Sequence, residues 1–329
     1  MTKETGRALV IGATGGIGSE VARALLAGGW QVRALHRDPE RARASNPDID
    51  WQAGDAMDEA TVVRSAADVS VIVHAVNPPG YRNWAGLVLP MLDSTIAAAT
   101  ATGARILLPG TVYNYGPDAG DAIDEDAPQN PVTRKGAIRV EMERRLRHAS
   151  SRGAKALVVR AGDFYGPRTG NSWLPQGMVP MKGPLKRVFN PARPGVGHGW
   201  AYLPDLAETM VRLIEREGDL AAFDSFHFEG SWVDDNAVFA QAIREAAGRP
   251  EAPIYRFPWP LVHAAAPFNE TAREMRELIY IWQRPLRLVD AELRAFLGDV
   301  PATPLDQALR TTLQGLGRAR LDPDGRAVS

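Results

Sequence analysis

The feature that most constrains this chain is a glycine-rich turn close to its N-terminus. The apolar run at residues 8–11 leads directly into Gly-Ala-Thr-Gly-Gly-Ile-Gly at residues 12–18, and residues 19–27 then carry apolar side chains at helical spacing. In a strand–turn–helix unit, Gly12 permits a tight turn, Gly15 lets the backbone approach a pyrophosphate, and Gly18 lets the helix pack closely on the strand. Unpaired N–H groups at the start of such a helix face the phosphates. We therefore predict a dinucleotide site formed by Gly12, Thr14, Gly15, Gly16, Ile17 and Gly18.

The rest of the first half of the chain alternates short apolar runs with longer amphipathic segments. The runs at residues 31–35, 49–53, 69–73, 105–108 and 156–160 predict strands, and residues 87–102 and 134–151 predict helices. Continuous apolar strands separated by helices are typical of a parallel sheet covered on both faces. We expect an α/β, Rossmann-like doubly wound core at residues 1–162. A smaller substrate lobe follows at residues 163–321, with segments near 200–230 returning to the core, and residues 322–329 form a loose tail.

Composition excludes several classes of protein. The 329 residues contain 38 Lys and Arg against 39 Asp and Glu, which argues against a nucleic-acid or anionic-membrane binder. No run of 18 apolar residues predicts a membrane span, and the short apolar run near the N-terminus is unlike a signal peptide, so we expect a cytoplasmic protein. The absence of Cys excludes thiolate nucleophiles and Cys-ligated metals, and no metal site is predicted.

The turn at residues 12–18 resembles that of the extended and atypical short-chain dehydrogenases/reductases. That group includes the nucleotide-sugar epimerases and dehydratases and the NmrA-like proteins. The resemblance implies a bound NAD or NADP and follows the segment order of nearly the whole chain. It places Asp55 where the family contacts adenine, although a helix N-cap is an equally good interpretation. It adds Ala56 and Ala75 to the predicted cofactor contacts, with Ala75 beneath the nicotinamide ribose.

The end of the second predicted strand bears on the choice of dinucleotide. Arg37 stands where an arginine accommodates the 2′-phosphate of NADP, which its planar guanidinium can bind with two hydrogen bonds. Asp38 lies twenty residues beyond Gly18, where an acid can select NAD, but Asp38 followed by Pro39 is also typical of a helix start. We therefore favour NADP, as NADPH, over NAD.

Residues 108–116 are similar to the family's turn that carries a catalytic Ser or Thr, and the match places Thr111 at that position. In the family this hydroxyl binds a substrate oxygen, and the next helix carries Tyr-x-x-x-Lys. The Tyr exchanges a proton with the substrate, and the Lys lowers the Tyr pKa and binds the nicotinamide ribose. Here the matching positions hold Lys135 and Arg139.

This replacement leaves three interpretations open. Lys135 could donate the proton if burial and a neighbouring cation lowered its pKa. Tyr113 or Tyr115 could donate it instead, with Thr111 assisting. The site could also be catalytically silent, as in an NmrA-like dinucleotide-sensing regulator. In the catalytic interpretations Arg139 holds the nicotinamide ribose or the phosphates.

The second half of the chain is expected to supply the substrate contacts. The segment after residue 162 is rich in Trp, Phe, Met, Gly and Pro, which favours a small apolar carbonyl or alcohol substrate over a sugar nucleotide. We therefore predict hydride transfer between NADPH and such a substrate. A non-catalytic regulator and a nucleotide-sugar epimerase or dehydratase are the alternatives. The resemblance also allows a homodimer. The predicted substrate residues are Tyr165, Trp173, His198 and Trp200.

Overall fold

A computed structural model describes residues 6–78, 83–170, 172–180 and 183–318. In chain order the strands are β1 (Arg7–Ile11), β2 (Gln31–His36), β3 (Asp50–Ala53), β4 (Val71–His74), β5 (Arg105–Thr111), β6 (Ala122–Ile123), β7 (Lys155–Ala161), β8 (Asp163–Tyr165), β9 (Val188–Asn190), β10 (His198–Tyr202), β11 (Phe223–Phe228), β12 (Ser231–Val233), β13 (Ile254–Arg256) and β14 (Arg287–Leu288). The helices are α1 (Gly16–Ala27), α2 (Pro39–Ser45), α3 (Glu59–Ser65), α4 (Trp84–Thr102), α5 (Arg134–Ser150), α6 (Leu203–Ile214), α7 (Asn236–Ala246), α8 (Trp259–Ala265), α9 (Glu270–Glu277), α10 (Ala291–Leu297) and α11 (Leu305–Gly315).

The central layer is a parallel sheet. Within the described residues it has seven strands in the order β11-β7-β5-β4-β1-β2-β3. The strand order reverses between β1 and β4, and a crevice opens at the carboxyl ends of the strands at such a point. The predicted α/β class with a doubly wound, Rossmann-like sheet is confirmed.

Helices cover both faces of this sheet. One hydrophobic cluster joins α1 and α6 to the sheet, and another joins α3, α4 and α5 to its opposite face. The strand residues Ala8, Leu9 and Val10 are fully buried, which explains their uninterrupted apolar run. Helix α1 begins at Gly16 rather than at Ser19, where its apolar spacing starts, because the glycine turn itself supplies the first helical residues.

The second half of the chain divides between this layer and a smaller one. Residues 223–228 form β11 of the central sheet, and residues 203–214 form α6, which packs on one face of that sheet. The other strands pair as β12-β10-β8, β13-β9 and β14-β6 around an aromatic core of their own. The predicted loose tail, residues 322–329, lies outside the described residues. Among the described helices, none combines the length and the apolar character that crossing a membrane requires.

Candidate active site

A cavity of about 480 Å³ lies at the carboxyl ends of β1, β2, β4 and β5, where the strand order reverses. It extends from the turn after β2 past the glycine turn to the end of β5. The predicted cofactor and catalytic residues that line it are Gly12, Thr14, Gly15, Gly16, Ile17, Arg37, Asp55, Ala56, Ala75, Thr111 and Arg139. Residues on separate loops, brought to one sheet edge, therefore form a single concave surface.

The glycine turn is closely packed and leaves helix α1 without a side-chain cap. Gly12 has a φ of +94°, and a Cβ there would lie 2.7 Å from the Ala75 carbonyl oxygen. A Cβ on Gly18 would lie 2.2 Å from the Gly12 carbonyl oxygen, so Gly18 serves helix–strand packing and does not line the cavity. Gly15 is the N-cap residue of α1 and offers no side-chain acceptor. The first N–H groups of α1 are therefore available to an anionic ligand, and the turn fits a dinucleotide pyrophosphate.

At one end of the cavity the structure separates two acidic residues that the sequence left ambiguous. The Asp38 carboxylate accepts a hydrogen bond from the Arg41 N–H at 3.1 Å and caps α2, and Asp38 does not line the cavity. Asp55 lines the cavity and accepts from the Met57 N–H at 3.0 Å. The cap of α3 is Asp58 rather than Asp55, so the helix-cap interpretation of Asp55 is wrong.

At the other end, Thr111 and Arg139 come together with His74. The Thr111 hydroxyl oxygen accepts from the Tyr113 N–H at 3.3 Å, and the Arg139 guanidinium lies 5.3 Å from the centre of the Trp84 ring. His74 is buried beside the cavity, and its Nδ1 lies 2.8 Å from the Thr95 hydroxyl. Burial, assisted by the Arg139 charge, lowers the pKa of His74 to about 3. His74 is therefore neutral near pH 7.

The structure does not bring Lys135 to this group. The Lys135 ammonium lies 2.9 Å from the Glu274 carboxylate and donates to the Glu274 carbonyl oxygen at 2.7 Å, and both side chains are 1% exposed. Arg134 pairs with the same carboxylate. Burial lowers the pKa of Lys135, and Glu274 opposes that shift. Lys135 therefore joins α5 to α9, and it does not line the cavity in the described part of the chain.

The two candidate tyrosines occupy different surroundings. The Tyr115 hydroxyl is fully buried, lies 2.7 Å from His227 Nε2 and accepts from Arg160 at 3.0 Å. Burial raises the pKa of Tyr115 far above its usual range. Tyr113 is half-buried, and its hydroxyl donates to the Asp163 carboxylate at 3.4 Å. Tyr115 thus belongs to the buried core and Tyr113 contacts Asp163, and neither tyrosine lines the cavity in the described part of the chain.

Asp163 is part of a polar pair that the sequence analysis missed. His198 Nε2 lies 2.8 Å from Asp163 Oδ2, and the imidazole stacks on Trp282 with ring centres 3.9 Å apart. Both residues of the pair are buried, and Phe164, which follows Asp163, lines the cavity. Asp163 and His198 lie on neighbouring strands 35 residues apart, so no local spacing signals the contact.

The other predicted substrate residues pack into the aromatic core of the smaller layer. Trp200 stacks on Phe239 with ring centres 4.1 Å apart, and Trp173 lies 5.1 Å from Trp282. The Tyr165 hydroxyl is 3.3 Å from the Ser231 hydroxyl. None of Tyr165, Trp173, His198 and Trp200 lines the cavity in the described part of the chain. The cavity is also lined by residues that the sequence analysis did not assign to the site, among them His36, Gly54, His74, Asn77, Leu87, Met91, Phe164, Thr169 and Leu203.

Comparison with known proteins agrees with the Rossmann-like fold described above. A family model described as the NAD dependent epimerase/dehydratase family matches residues 8–223. A 3-diazoavenalumate denitrifying reductase of Streptomyces sp is 33% identical over 179 residues. That match covers 50% of this chain and 58% of the relative, so the chain spans little more than half of that protein's length.

Solved structures resemble the chain over a larger part of its length. The NAD+ complex of the Bordetella bronchiseptica enzyme WbmH is 19% identical with a TM-score of 0.70, covering 94% of this chain and 98% of WbmH. DesIV, a dTDP-glucose 4,6-dehydratase from Streptomyces venezuelae with NAD and TYD bound, is 17% identical with a TM-score of 0.72. This match covers 94% of this chain and 96% of DesIV. At these identities the similarity shows a shared fold.

Proposed function

This chain belongs to the NAD dependent epimerase/dehydratase family, and on that premise we propose that it transfers hydride between NADPH and a small, largely apolar acceptor. The observation that carries the proposal is the continuity of the cavity from Arg37, past the glycine turn, to Thr111 and Arg139. When NADPH is bound, its nicotinamide ring supplies the hydride. The residues of this chain bind the dinucleotide, orient the acceptor and provide the proton.

The preference for NADPH is supported by the two residues after β2. Arg37 is exposed at the cavity, where its guanidinium is available to a 2′-phosphate. The Asp38 carboxylate accepts the Arg41 N–H at the start of α2, and Asp38 lies outside the cavity lining. An acid that selects NAD would instead accept hydrogen bonds from the adenosine ribose.

The reaction side combines Thr111, Arg139 and Tyr113. The Thr111 hydroxyl and the Arg139 guanidinium both donate hydrogen bonds, which suits an acceptor oxygen that gains negative charge during reduction. In this proposal the Tyr113 O–H turns from the Asp163 carboxylate, to which it donates at 3.4 Å, and gives its proton to that oxygen. The Asp163–His198 pair holds the Tyr113 hydroxyl in place. Lys135 has a positioning role, since its ion pair with Glu274 holds the start of α5 against α9.

Three observations support Tyr113 over the other two candidates. The Lys135 charge is compensated by Glu274, outside the cavity. The Tyr115 hydroxyl is buried between Arg160 and His227. Tyr113 also lies outside the cavity lining, but it is half-buried, and its backbone N–H donates to the Thr111 hydroxyl oxygen, which places it next to a residue that lines the cavity.

The first experiment measures the binding of NADPH and NADH by fluorescence titration. We expect Arg37→Ala to weaken NADPH binding about ten- to a hundredfold, because a hydrogen bond to a charged group contributes about 1.5–3 kcal/mol, and to leave NADH binding nearly unchanged. Asp38→Ala is the matched control and should leave the affinities for NADPH and for NADH unchanged. Equal loss of both dinucleotides in Arg37→Ala would contradict the NADPH assignment.

The second experiment screens small aromatic aldehydes and ketones for NADPH oxidation. We expect Tyr113→Phe to lower kcat about a hundredfold or more with NADPH binding unchanged, which is the usual contribution of a general acid. Tyr255→Phe is the control, since Tyr255 is 51% exposed. Tight NADPH binding without turnover of any acceptor would favour the alternative of an NmrA-like dinucleotide-sensing regulator. Turnover of nucleotide sugars with NAD would favour an epimerase or dehydratase.

An aryl diazo compound completes the screen, because the Streptomyces relative is named for reduction of a diazo substrate. The terminal nitrogen of a diazo group accepts hydride directly, and the resulting diazene can lose dinitrogen without a proton donated to oxygen. Reduction of the diazo compound that is insensitive to Tyr113→Phe, with no carbonyl turnover, would replace the carbonyl assignment by this acceptor class.

A further inference from the structure

A buried acidic residue lies one turn into the helix that begins at the glycine turn. Glu20 is 3% exposed and lies four residues after Gly16, the first residue of α1. One carboxylate oxygen accepts from Arg168 at 2.8 Å and from Arg23 at 3.4 Å. The other oxygen is buried and has no hydrogen-bond partner in the described part of the chain. A negative charge here is unexpected, because a pyrophosphate at the start of the same helix would be repelled by it.

The compensating charge comes from the other half of the chain. Arg168 lies in the loop after β8, and this loop packs against the glycine turn. A Cβ on Gly16 would lie 3.8 Å from both the Arg168 carbonyl oxygen and the Thr169 Cα. The Thr169 hydroxyl donates to the Gly166 carbonyl at 2.9 Å, and Thr169 lines the cavity. The Arg168–Glu20 pair therefore joins the phosphate-binding helix to a loop that covers it.

We propose that the Glu20–Arg168 ion pair determines dinucleotide affinity, with Arg168 cancelling the charge of Glu20 rather than binding the phosphates itself. This inference rests on the proposed dinucleotide site and deepens it. Both residues act as positioning and charge-compensating groups. The pair also couples the loop that follows β8, on the substrate side, to occupancy of the cofactor site.

The expected effect follows from Coulomb's law. The uncompensated Glu20 charge would lie about one to two helical turns from the phosphates. At a dielectric constant between those of water and the protein interior, its repulsion of the phosphates would weaken binding about tenfold. Surface screening is weak for Glu20 because its side chain is buried. Arg23 is the natural control, since it contacts the same carboxylate at the longer distance of 3.4 Å and its side chain is 55% exposed.

The test is a double-mutant cycle read by fluorescence titration with NADPH and with NADH at constant salt. We expect Arg168→Ala to weaken both dinucleotides about tenfold, because Glu20 then keeps an uncompensated charge. Glu20→Gln should bind as tightly as the wild type or more tightly. The double variant should recover most of the loss, and Arg23→Ala should bind as the wild type does. Thermal unfolding and circular dichroism of each variant confirm that it is folded.

Each contrary result has a distinct meaning. If the wild type binds neither dinucleotide, the proposed function itself fails. If the wild type binds NADPH and Arg168→Ala binds it equally well, the proposed function stands and this inference is overturned. If the double variant is as weak as Arg168→Ala, Arg168 contacts the phosphates directly, and charge compensation through Glu20 is overturned.

The pH dependence of NADPH affinity is a second measurement, and it would be unaffected if the Glu20–Arg168 pair had only a structural role. Burial raises the pKa of Glu20, and Arg168 lowers it, so loss of Arg168 raises this pKa further. The charged groups around Glu20 are Arg168 and Arg23, and Tyr202 also interacts with it. As the pH falls, Glu20 becomes neutral, and the difference in NADPH affinity between Arg168→Ala and the double variant should shrink. A difference that is constant with pH would contradict charge compensation, because the 2′-phosphate titration is common to both variants.

Discussion

Replacing Glu274 by Gln tests whether Lys135 has a structural role. The Lys135 and Glu274 side chains are each 1% exposed, with the ammonium 2.9 Å from the carboxylate. The substitution keeps the shape of the side chain and removes its charge, leaving the Glu274 carbonyl oxygen, at 2.7 Å, to accept from Lys135. Breaking a buried ion pair by removing one partner costs about 3–5 kcal/mol. Because the carbonyl hydrogen bond survives, we expect the lower end, about 3 kcal/mol.

The assay is urea unfolding followed by circular dichroism. The double variant Lys135→Met/Glu274→Gln should be less destabilised than Glu274→Gln alone, because no uncompensated ammonium then remains in the interior. Asp306→Asn is the matched control, since it breaks an exposed ion pair with Arg310 and should change the free energy of unfolding little.

Two results would refute this reasoning. The first is a free energy of unfolding of Glu274→Gln within about 0.5 kcal/mol of the wild type, the range of ordinary surface substitutions. The second is a Lys135→Met variant that is folded and binds NADPH as the wild type does, yet has no turnover. Lys135 would then act on the substrate, as in the first of the three interpretations of the sequence.

Three further predictions concern the turn, the helix cap and the buried histidines. Gly18→Ala should abolish tight NADPH binding in a titration, because its Cβ would lie 2.2 Å from the Gly12 carbonyl oxygen and force the turn open. Asp38→Ala should lower the free energy of unfolding in urea by about 1 kcal/mol, the usual contribution of a helix N-cap. A free energy of NADPH binding that changes by more than the free energy of unfolding does would contradict the cap assignment. Burial lowers the pKa of both His74 and His227 from 6.5 to about 3, so between these pH values only the unfolded chain binds their protons. The free energy of unfolding should therefore fall as the pH drops from 6.5 towards 3, and His227→Gln should flatten this slope in urea titrations; an unchanged slope would place a charged imidazole in the folded protein.

The sequence predicted the fold class, the glycine turn and several other residues that line the cavity, because these depend on local signals. A glycine triad between an apolar run and a helix can be recognised from neighbouring residues alone, and so can the acid and the arginine after β2. The ends of parallel strands meet at one sheet edge, so Thr111 and Arg37 could be assigned to one site before any contact was known. Whether Asp55 or Asp58 caps α3 depends on the residue at which the helix begins. Helix boundaries are the part of a structure that sequence patterns predict least well.

The reaction side could not be predicted in the same way. The match to the family's Tyr-x-x-x-Lys places Lys135 at the position of the family's proton donor, yet this residue pairs with Glu274, 139 positions along the chain. The four residues predicted to contact the substrate, Tyr165, Trp173, His198 and Trp200, have ring side chains that suit a packed core as well as a pocket. Which of the two they form depends on neighbours such as Phe239 and Trp282, which are distant in sequence.

The sequence by itself determined the Rossmann-like core, the glycine turn at residues 12–18 and the place of Arg37 and Asp55 at the same sheet edge, because backbone geometry and strand order dictate them. The tertiary structure alone decided the partners of the charged side chains. It paired Lys135 with Glu274, Glu20 with Arg168 and Asp163 with His198. The physical reason is that a buried charge must be compensated, and any opposite charge that the fold brings within hydrogen-bonding distance can do so, whatever its separation along the chain.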